Sequence, residues 1–455
     1  MPVMTKDRFV RKALLAFGAL AVMTGFSGSA SAARFKAVYS ICQKDFCKDG
    51  NGPNSLAADA SGNFYGTTDG GGKLHGGGVI FELANGKKYK VIYRFCGLKH
   101  CADGSQPGGP LVVDVQGNLY GIAYRGGANG RGAVYELSPN ADRSAWTFSV
   151  LYDFCSMENC TDGAGPSGGL TYTGAVSGAL YDGVSPLYGT AGPANVGDGG
   201  VVYRLTPSAG RTSSWTETVL YSFCALAACA DGSNPVASLL IDGPGNMFGV
   251  TAAGGSAGQG TAFELSPSGG GGWTETVLHS FCSSAKCTDG AVPQSPLIAD
   301  AQGNLYGTTL GGGILCQDPH LPYSCGVIFK IVPAGTSSVE SVLHTFCETA
   351  DCPDGALPLG GLLLDEAGHL FGVTQYGGGN DSASIGETGG GTAFELRGST
   401  LRVLHAFCAL DNCEDGAGPR TSLLMNSSGV LFGTAWSGGV GDGHIRGGTV
   451  FTVKP

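Results

Sequence analysis

The chain has 455 residues, of which 80 are glycine and only 14% are charged, and its formal net charge is −10 at pH 7. This length allows several ordinary domains or one large repeat assembly. Glycine spread among apolar runs indicates many tight turns between short strands rather than a disordered chain. The negative charge would repel a phosphate backbone, so we expect no nucleic-acid partner.

The first 32 residues have the three parts of a secretory signal peptide. Four basic residues precede the apolar segment ALLAFGALAVMTGF (13–26), and SGSASA then supplies a small-residue cleavage site. Cleavage after Ala32 would leave 22 basic and 35 acidic residues, a net charge of −13. No later segment reaches the roughly 18 apolar residues of a membrane helix. We therefore expect a secreted or periplasmic protein without a membrane span after cleavage; the alternative is an uncleaved anchor helix.

The motif Phe-Cys-(four residues)-Cys-x-Asp-Gly, or a close variant, occurs seven times and holds 14 of the 16 cysteines. Paired cysteines in an exported protein predict disulfides. Zinc is disfavoured, because it needs four ligands together, usually with C-x2-C spacing. Since the cysteine count is even in every local unit, we predict eight local bridges. They join Cys42 to Cys47, Cys96 to Cys101, Cys155 to Cys160, Cys224 to Cys229, Cys282 to Cys287, Cys316 to Cys325, Cys347 to Cys352 and Cys408 to Cys413.

Between successive cysteine motifs, which lie 54 to 69 residues apart, four short apolar runs recur. Period-two alternation bounded by Gly, Pro and Asn predicts that they are strands. In the fourth unit they read SLLID (strand a), MFGVT (strand b), GTAFEL (strand c) and WTETVLHSFC (strand d). In strand d, the alternation predicts that Val277, His279 and Phe281 share one face of the sheet. Leu278 would then lie on the other face.

The two ends of the repeat region predict a closed ring. One four-stranded sheet cannot bury both its faces, but sheets stacked around an axis can, and seven is a common number. The region opens with FKAVYSIC, a strand d alone, and ends with GGTVFTVKP, a strand c without its d. If the last sheet takes the first strand, no edge stays unpaired. We predict an all-β fold: a single, monomeric seven-bladed β-propeller of four-stranded blades over 33–455, closed by the N-terminal strand. An open β-solenoid is the alternative.

The recurring Tyr-Gly-Thr-Thr, Gly-Gly and Gly-Thr-x-Phe-x-Leu pattern resembles the GloVer-type tandem repeat of exported bacterial proteins, a choice-of-anchor family. The pattern covers essentially all of the chain after residue 32. The resemblance implies a propeller-like repeat protein outside the cytoplasm. It supplies no catalytic residues to transfer to this sequence.

The strand order places the expected site on one face of the ring. If strand a is innermost, the disulfide-bearing d-to-a loops and the variable b-to-c loops emerge together, and variable loops on a rigid frame commonly bind ligands. Exposed rings beside Gly and Asn suit stacking on sugars or peptide side chains; alternatively, they only cover the blade ends. Histidines of the b-to-c loops are further candidates. The candidates are His75, Tyr124, Arg125, His320, Tyr376, Trp436 and His444.

Each cysteine motif ends in an aspartate that has two interpretations. In a structural turn, Asp-Gly accepts backbone N–H groups and supplies a residue with positive φ. As a calcium ligand, each aspartate would need several more oxygens nearby. Repetition in every unit favours the turn, and calcium is the one cofactor that the sequence leaves open. The seven are Asp49, Asp103, Asp162, Asp231, Asp289, Asp354 and Asp415.

Together these features predict an exported, disulfide-stabilised protein that binds a carbohydrate or a protein ligand. Two alternatives stay open. One is an extracellular polysaccharide hydrolase or lyase whose acidic residues meet at the central channel. The other is a structural envelope or adhesion protein.

Overall fold

The computed structural model of the chain describes residues 33–72, 76–195, 197–208, 215–313, 325–335, 337–380, 389–440 and 447–455. The predicted signal peptide lies outside these residues. Within them, regular structure consists of strands and short 3-10 turns, without an α-helix. The fold is therefore all-β, as predicted.

The strands form seven antiparallel sheets, the blades, arranged in a ring. In chain order the strands are β1 (Arg34–Ser40), β2 (Asn51–Pro53), β3 (Ala57–Ala58), β4 (Phe64–Gly70), β5 (Val79–Ala84), β6 (Lys88–Arg94), β7 (Ser105–Val113), β8 (Leu119–Arg125), β9 (Ala133–Pro139), β10 (Trp146–Asp153), β11 (Ala164–Thr171), β12 (Leu187–Gly192), β13 (Val201–Pro207), β14 (Trp215–Ser222), β15 (Ser233–Pro235), β16 (Leu240–Ile241), β17 (Met247–Ala253), β18 (Thr261–Pro267), β19 (Trp273–Ser280), β20 (Ala291–Pro293), β21 (Ile298–Ala299), β22 (Leu305–Gly311), β23 (Val327–Val332), β24 (Val339–Thr345), β25 (Leu363–Leu364), β26 (Leu370–Thr374), β27 (Thr392–Arg397), β28 (Thr400–Ala406), β29 (Ala417–Pro419), β30 (Leu424–Met425), β31 (Leu431–Ser437) and β32 (Thr449–Lys454). The 3-10 turns are Asp45–Cys47, Lys99–Cys101, Glu158–Cys160, Ala175–Ser177, Ala227–Cys229, Ala285–Cys287 and Asp411–Cys413.

The seventh blade joins the two ends of the chain. Its strand order is β1-β32-β31-β29, so β1 is the outer strand d of that blade. β1 runs antiparallel to β32, with Arg34 opposite Lys454 and Ser40 opposite Thr449. Ile41, directly after β1, is fully buried in a core cluster. The predicted closure of the ring by the N-terminal strand is confirmed.

The innermost strand begins earlier than predicted, and in blades 1, 4, 5 and 7 it is divided into two pieces. In blade 4 it consists of Ser233–Pro235 and Leu240–Ile241, and both pieces pair with Met247–Ala253. The first piece directly follows the Asp-Gly of the cysteine motif, where Gly and Pro had indicated only a turn. The ladder stops at Pro235 and resumes after a short segment near the ring axis. In blades 2 and 3 the inner strands, Ser105–Val113 and Ala164–Thr171, are continuous through the equivalent proline.

The predicted alternation of strand d is wrong, because every blade has a β-bulge there. In blade 4, His279 lies opposite Ala262 and Val277 lies opposite Phe263, so Leu278 is the extra residue. Ala262 and Phe263 are neighbours, so His279 and Val277 point to opposite faces of the sheet. The extra residues of the seven blades are Val38, Ile92, Leu151, Leu220, Leu278, Leu343 and Leu404.

Seven of the eight predicted disulfides are present, one in each cysteine motif. Cys325 is also disulfide-bonded, whereas Cys316, its predicted partner, lies outside the described residues. The observed bridges are Cys42–Cys47, Cys96–Cys101, Cys155–Cys160, Cys224–Cys229, Cys282–Cys287, Cys347–Cys352 and Cys408–Cys413.

The aspartate of each motif closes the same loop by hydrogen bonds. In the loop that connects blades 3 and 4, the buried Asp231 carboxylate accepts from the backbone N–H groups of Ala225 (2.9 Å) and Leu226 (3.2 Å) and from the Tyr221 hydroxyl (2.9 Å). The ring that contacts the aspartate is tyrosine in four blades and histidine in three, always from the bulged strand. The pairs are Tyr39–Asp49, Tyr93–Asp103, Tyr152–Asp162, Tyr221–Asp231, His279–Asp289, His344–Asp354 and His405–Asp415.

Neighbouring blades contact each other at these rings. The ring of one blade packs against a residue of the next blade that lies seven positions before the first cysteine of the following cysteine motif. At three of these contacts two rings stack, with centroids 3.6 to 4.3 Å apart: Phe35 with His405, Tyr39 with Tyr89, and Tyr93 with Phe148. Aromatic stacks of this kind add stability beyond the apolar area they bury.

In three blades, the same position holds a glutamate instead of a ring: Glu217, Glu275 and Glu340. Both Glu217 carboxylate oxygens are buried without a hydrogen-bond partner among the described residues. Burial, and then the charge of Asp162, raise the pKa of Glu217 from 4.5 to about 7. Burial and a neighbouring aspartate likewise raise the pKa of Glu275 and of Glu340 to about 7.

These glutamates make stability fall as the pH rises. The folded protein holds protons between pH 4.5 and 7 that the unfolded chain releases, so the free energy of unfolding decreases through that window. We expect Glu217→Gln to raise the free energy of unfolding at pH 8 by about 2 kcal/mol and to change it little at pH 4. Urea unfolding at both pH values measures this, with the exposed Glu366→Gln as control. A wild-type pH profile in Glu217→Gln would contradict the assignment.

Candidate functional site at the channel mouth

The disulfide loops and the b-to-c loops lie on one face of the ring, called the disulfide face below. In six blades, a glycine N–H of the b-to-c loop donates to the carbonyl of the second cysteine at 2.8–3.0 Å. The bonded pairs are Gly72–Cys47, Gly127–Cys101, Gly255–Cys229, Gly313–Cys287, Gly378–Cys352 and Gly439–Cys413. The variable loops are thus attached directly to the covalently closed ones.

Residues from all seven blades surround a central cavity of about 170 Å³. Most of them are Gly, Ala, Ser, Thr or Pro, and these small residues allow the inner strands of neighbouring blades to approach one another closely. Every blade contains an Asp-Gly-x-x-Pro segment. The larger side chains that line the cavity lie mainly at the position directly after its proline. That position holds Asn54, Gly108, Ser167, Val236, Gln294, Leu359 and Arg420.

Trp436 and Arg420 form the centre of a polar cluster at the channel mouth. The Arg420 guanidinium carbon lies 4.2 Å from the centroid of the Trp436 ring, within cation–π range. The Trp436 Nε1–H donates to Asp69 Oδ2 at 2.9 Å, and Asp69 Oδ1 accepts from the Asn54 amide. Burial lowers the pKa of Arg420 while the charge of Asp69 opposes that shift, and an arginine in this setting stays cationic.

Tyr376 joins this cluster through Gln375. We orient the Gln375 amide so that its oxygen faces its donors. That oxygen then accepts from Arg420 Nη2 at 2.8 Å, from Arg420 Nε at 3.2 Å and from the Tyr376 hydroxyl at 3.2 Å. Two of the predicted site residues, Tyr376 and Trp436, are therefore linked by two residues that the sequence did not indicate.

Tyr124 and Arg125 lie in a different sector of the same face. They line a groove of about 640 Å³ with Arg131, Asn234 and Ser167 among its other residues. The groove belongs to blades 2, 3 and 4, whereas the Trp436 cluster belongs to blades 6, 7 and 1. We call these two places the Tyr124 groove and the Trp436 cluster.

Both aromatic rings lie against a glycine of the next blade. A Cβ at Gly52 would lie 2.7 Å from Trp436 Nε1, and a Cβ at Gly165 would lie 2.8 Å from Tyr124 Cε2. Backbone conformation alone does not demand these glycines, because the residue before each motif proline has φ between 54° and 67° in all seven blades. In four blades it is not glycine: Gln106, Asn234, Val292 and Leu357. The glycines are needed for the rings.

The remaining predicted site residues have separate outcomes. His75, His320 and His444 lie outside the described residues. The seven motif aspartates accept the hydrogen bonds described above, and no group of three or more His, Cys, Asp or Glu within the described ranges could hold a metal ion. Calcium binding stays a prediction.

Sequence reasoning missed Arg420, Gln375, Asp69 and Arg131. One signal could have found Arg420: the invariant Asp-Gly-x-x-Pro frame is followed by a residue that differs in every blade. A fixed frame with a variable next residue indicates a position that does not support the fold. Gln375 and Asp69 have no such signal, because their importance depends on contacts between blades.

A family model places this architecture among known sequences. The model described as Gloeobacter/Verrucomicrobia repeat matches residues 24–185 and again 182–386, more than half of the chain. The chain belongs to the Gloeobacter/Verrucomicrobia repeat family. The two tandem matches to this repeat agree with the repeated blades of the structure.

A search of solved structures matches this repeat-family protein at low identity and low structural similarity. A putative glucose dehydrogenase from Thermus thermophilus is 14% identical, with 93% of this chain and 100% of that chain covered and a TM-score of 0.38. An α-L-arabinofuranosidase from Fusarium graminearum is 10% identical, with coverage of 92% and 97% and a TM-score of 0.42. Scores this low carry no functional argument. A search of the curated proteins found no match.

The disulfides indicate where the repeat-family protein resides. Seven bridges form and persist in an oxidising environment, outside the cytoplasm. In the part of the chain that the structure describes, no helix has the length and apolarity to cross a membrane.

The close contact between Gly52 and the Trp436 ring can be tested by substitution. We expect Gly52→Asn to displace the Trp436 ring, because the new Cβ would overlap it, and to increase acrylamide quenching of tryptophan fluorescence. Gly418→Asn is the matched control: its φ is +64°, but its Cβ would lie 3.9 Å from the nearest atom, an ordinary contact. Unchanged quenching in Gly52→Asn, or an equal change in Gly418→Asn, would contradict the requirement for glycine beneath the Trp436 ring.

Proposed function

We propose that this protein is an exported binding protein that takes a carbohydrate, or alternatively a protein ligand, at the channel mouth on the disulfide face. One observation carries the proposal. Tyr124 and Trp436 have exposed fractions of 48% and 38%, although each ring packs against a glycine of the next blade. Partly exposed rings surrounded by amide, hydroxyl and guanidinium groups match the mixed apolar and polar surface of a sugar.

The frame beneath these rings favours binding because it is preorganised. In the closed ring every blade has its full set of strands, and the disulfides and buried aspartates fix the loops of the same face. Side chains that are already ordered lose little conformational freedom when a ligand arrives. Binding energy is then available for affinity rather than for ordering the site.

Export also belongs to the proposal. The disulfides favour a compartment outside the cytoplasm, and the predicted signal peptide over residues 1–32 would deliver the chain there. We propose a secreted or periplasmic protein that acts as a monomer and binds no nucleic acid.

The hydrolase or lyase alternative has no specific observation in its favour. A glycosidase of the common kind needs two carboxylates facing one bond, and the described residues that line the two cavities include no aspartate or glutamate. Gly-x-Ser-x-Gly occurs at 165–169 and 254–258, but within the described residues no helix follows either serine, as a nucleophile elbow requires.

A glycan array tests the proposed function. We expect the purified protein to bind at least one glycan class. If the Trp436 cluster belongs to the ligand surface, Trp436→Ala and Tyr376→Ala should each weaken binding about tenfold, since they remove an aromatic or hydrogen-bonding contact. Near-ultraviolet circular dichroism checks that the variants stay folded. Absence of binding to every glycan would contradict the carbohydrate proposal and leave a protein ligand or the structural role.

A further inference from the structure

The Tyr124 groove has the dimensions of a small-ligand site. Its volume of about 640 Å³ falls within the range of roughly 300–1,000 Å³ usual for ligand pockets. The central channel, at about 170 Å³, is much smaller. The groove is therefore the better place for a saccharide of a few units.

Tyr124 offers a more accessible ring than Trp436. One side of the Tyr124 ring lies against Gly165, whose Cβ would approach three ring atoms within 3.3 Å. The Arg125 guanidinium carbon is 5.9 Å from the ring centroid, whereas Arg420 lies 4.2 Å from that of Trp436. Arg420 thus covers Trp436, and Tyr124 keeps the larger exposed fraction.

The groove is cationic in an otherwise acidic protein. Arg125 and Arg131 both line it and are both exposed. Neither guanidinium makes an ion pair within the described ranges, and no aspartate or glutamate is among the described residues of the groove. Asn234 and Ser167 add neutral hydrogen-bonding groups. In a chain with a net charge of −10, two unpaired arginines in one groove favour an anionic ligand.

We propose that the Tyr124 groove binds an acidic saccharide, a sugar unit that carries a carboxylate. This inference rests on the proposed binding function and specifies its ligand class. Tyr124 stacks on the apolar face of the sugar ring, while Arg125 and Arg131 each donate N–H groups to a carboxylate of the saccharide. Asn234 and Ser167 hydrogen-bond sugar hydroxyl groups. A neutral sugar would leave both guanidinium groups without a counter-charge.

Isothermal titration with uronate trisaccharides tests the inference. The probes are trigalacturonate, triglucuronate and trimannuronate, each paired with its methyl ester, which keeps the sugar skeleton and removes the charge. We expect at least one acid to bind, and its ester to bind at least tenfold more weakly. Affinity for the acid should also fall as salt is raised.

Four variants locate the binding. Arg125→Gln and Arg131→Gln should each weaken acid binding about tenfold, because a charged hydrogen bond is lost. Tyr124→Ala should have a comparable effect. Arg34→Gln makes the same charge change at an exposed position of β1, in the outer strand of blade 7, and should leave affinity unchanged.

The outcomes separate this inference from the proposed function. Equal affinity for acid and ester, or an equal loss in Arg34→Gln and both groove variants, would overturn the acidic-saccharide assignment. If a neutral glycan binds and Trp436→Ala abolishes that binding, the proposed function stands and the inference fails. If neither these trisaccharides nor any arrayed glycan binds, the inference and the carbohydrate form of the proposed function both fail. Binding of an acidic peptide alone would also overturn the inference.

Discussion

The pairing of β1 with β32 is the constraint on which the rest of the structure depends. Each blade buries its faces only against its two neighbours, so a ring that stays open exposes two faces and two strand edges. β1 supplies the missing outer strand of blade 7, and its Phe35 ring stacks on His405 of blade 6 at 3.6 Å. Closure thus completes a contact between blades as well as a sheet. It also brings Trp436 of the last blade beside Asp69 of the first.

The disulfide loops transfer this rigidity to the surface that carries the candidate site. In the loop that connects blades 3 and 4, Cys224, Ala228 and Cys229 all have positive φ, a conformation that costs roughly 1–2 kcal/mol per residue other than glycine. The bridge and the bonds to buried Asp231 hold the loop in that shape. The b-to-c loop is then fixed by the bond from Gly255 to Cys229. Tyr124 and Trp436 lie where this supported surface meets the channel.

Sequence patterns predicted the architecture, but they could not predict which side chains contact each other between blades. The sequence sufficed to predict seven blades and their closure. Repeat spacing, strand alternation and the incomplete units at each end can all be read from the order of residues along the chain. The bulge at Leu278 was missed because the adjacent apolar pair Val277 and Leu278 was assigned to opposite faces of a regular strand. The contact of Tyr124 with Gly165 joins two blades, and the position of Arg420 follows from a proline-interrupted inner strand. Site prediction therefore found rings but not their partners.

Hydrogen exchange of the β1 amides, followed by mass spectrometry, tests ring closure most directly. Protection of backbone amides reports whether a strand is paired in the native protein. If the ring is closed, peptides from β1 will exchange as slowly as those from β6 and β10, the outer strands of blades 1 and 2. Exchange of β1 within seconds, with β6 and β10 still protected, would show that the first strand does not complete the seventh blade.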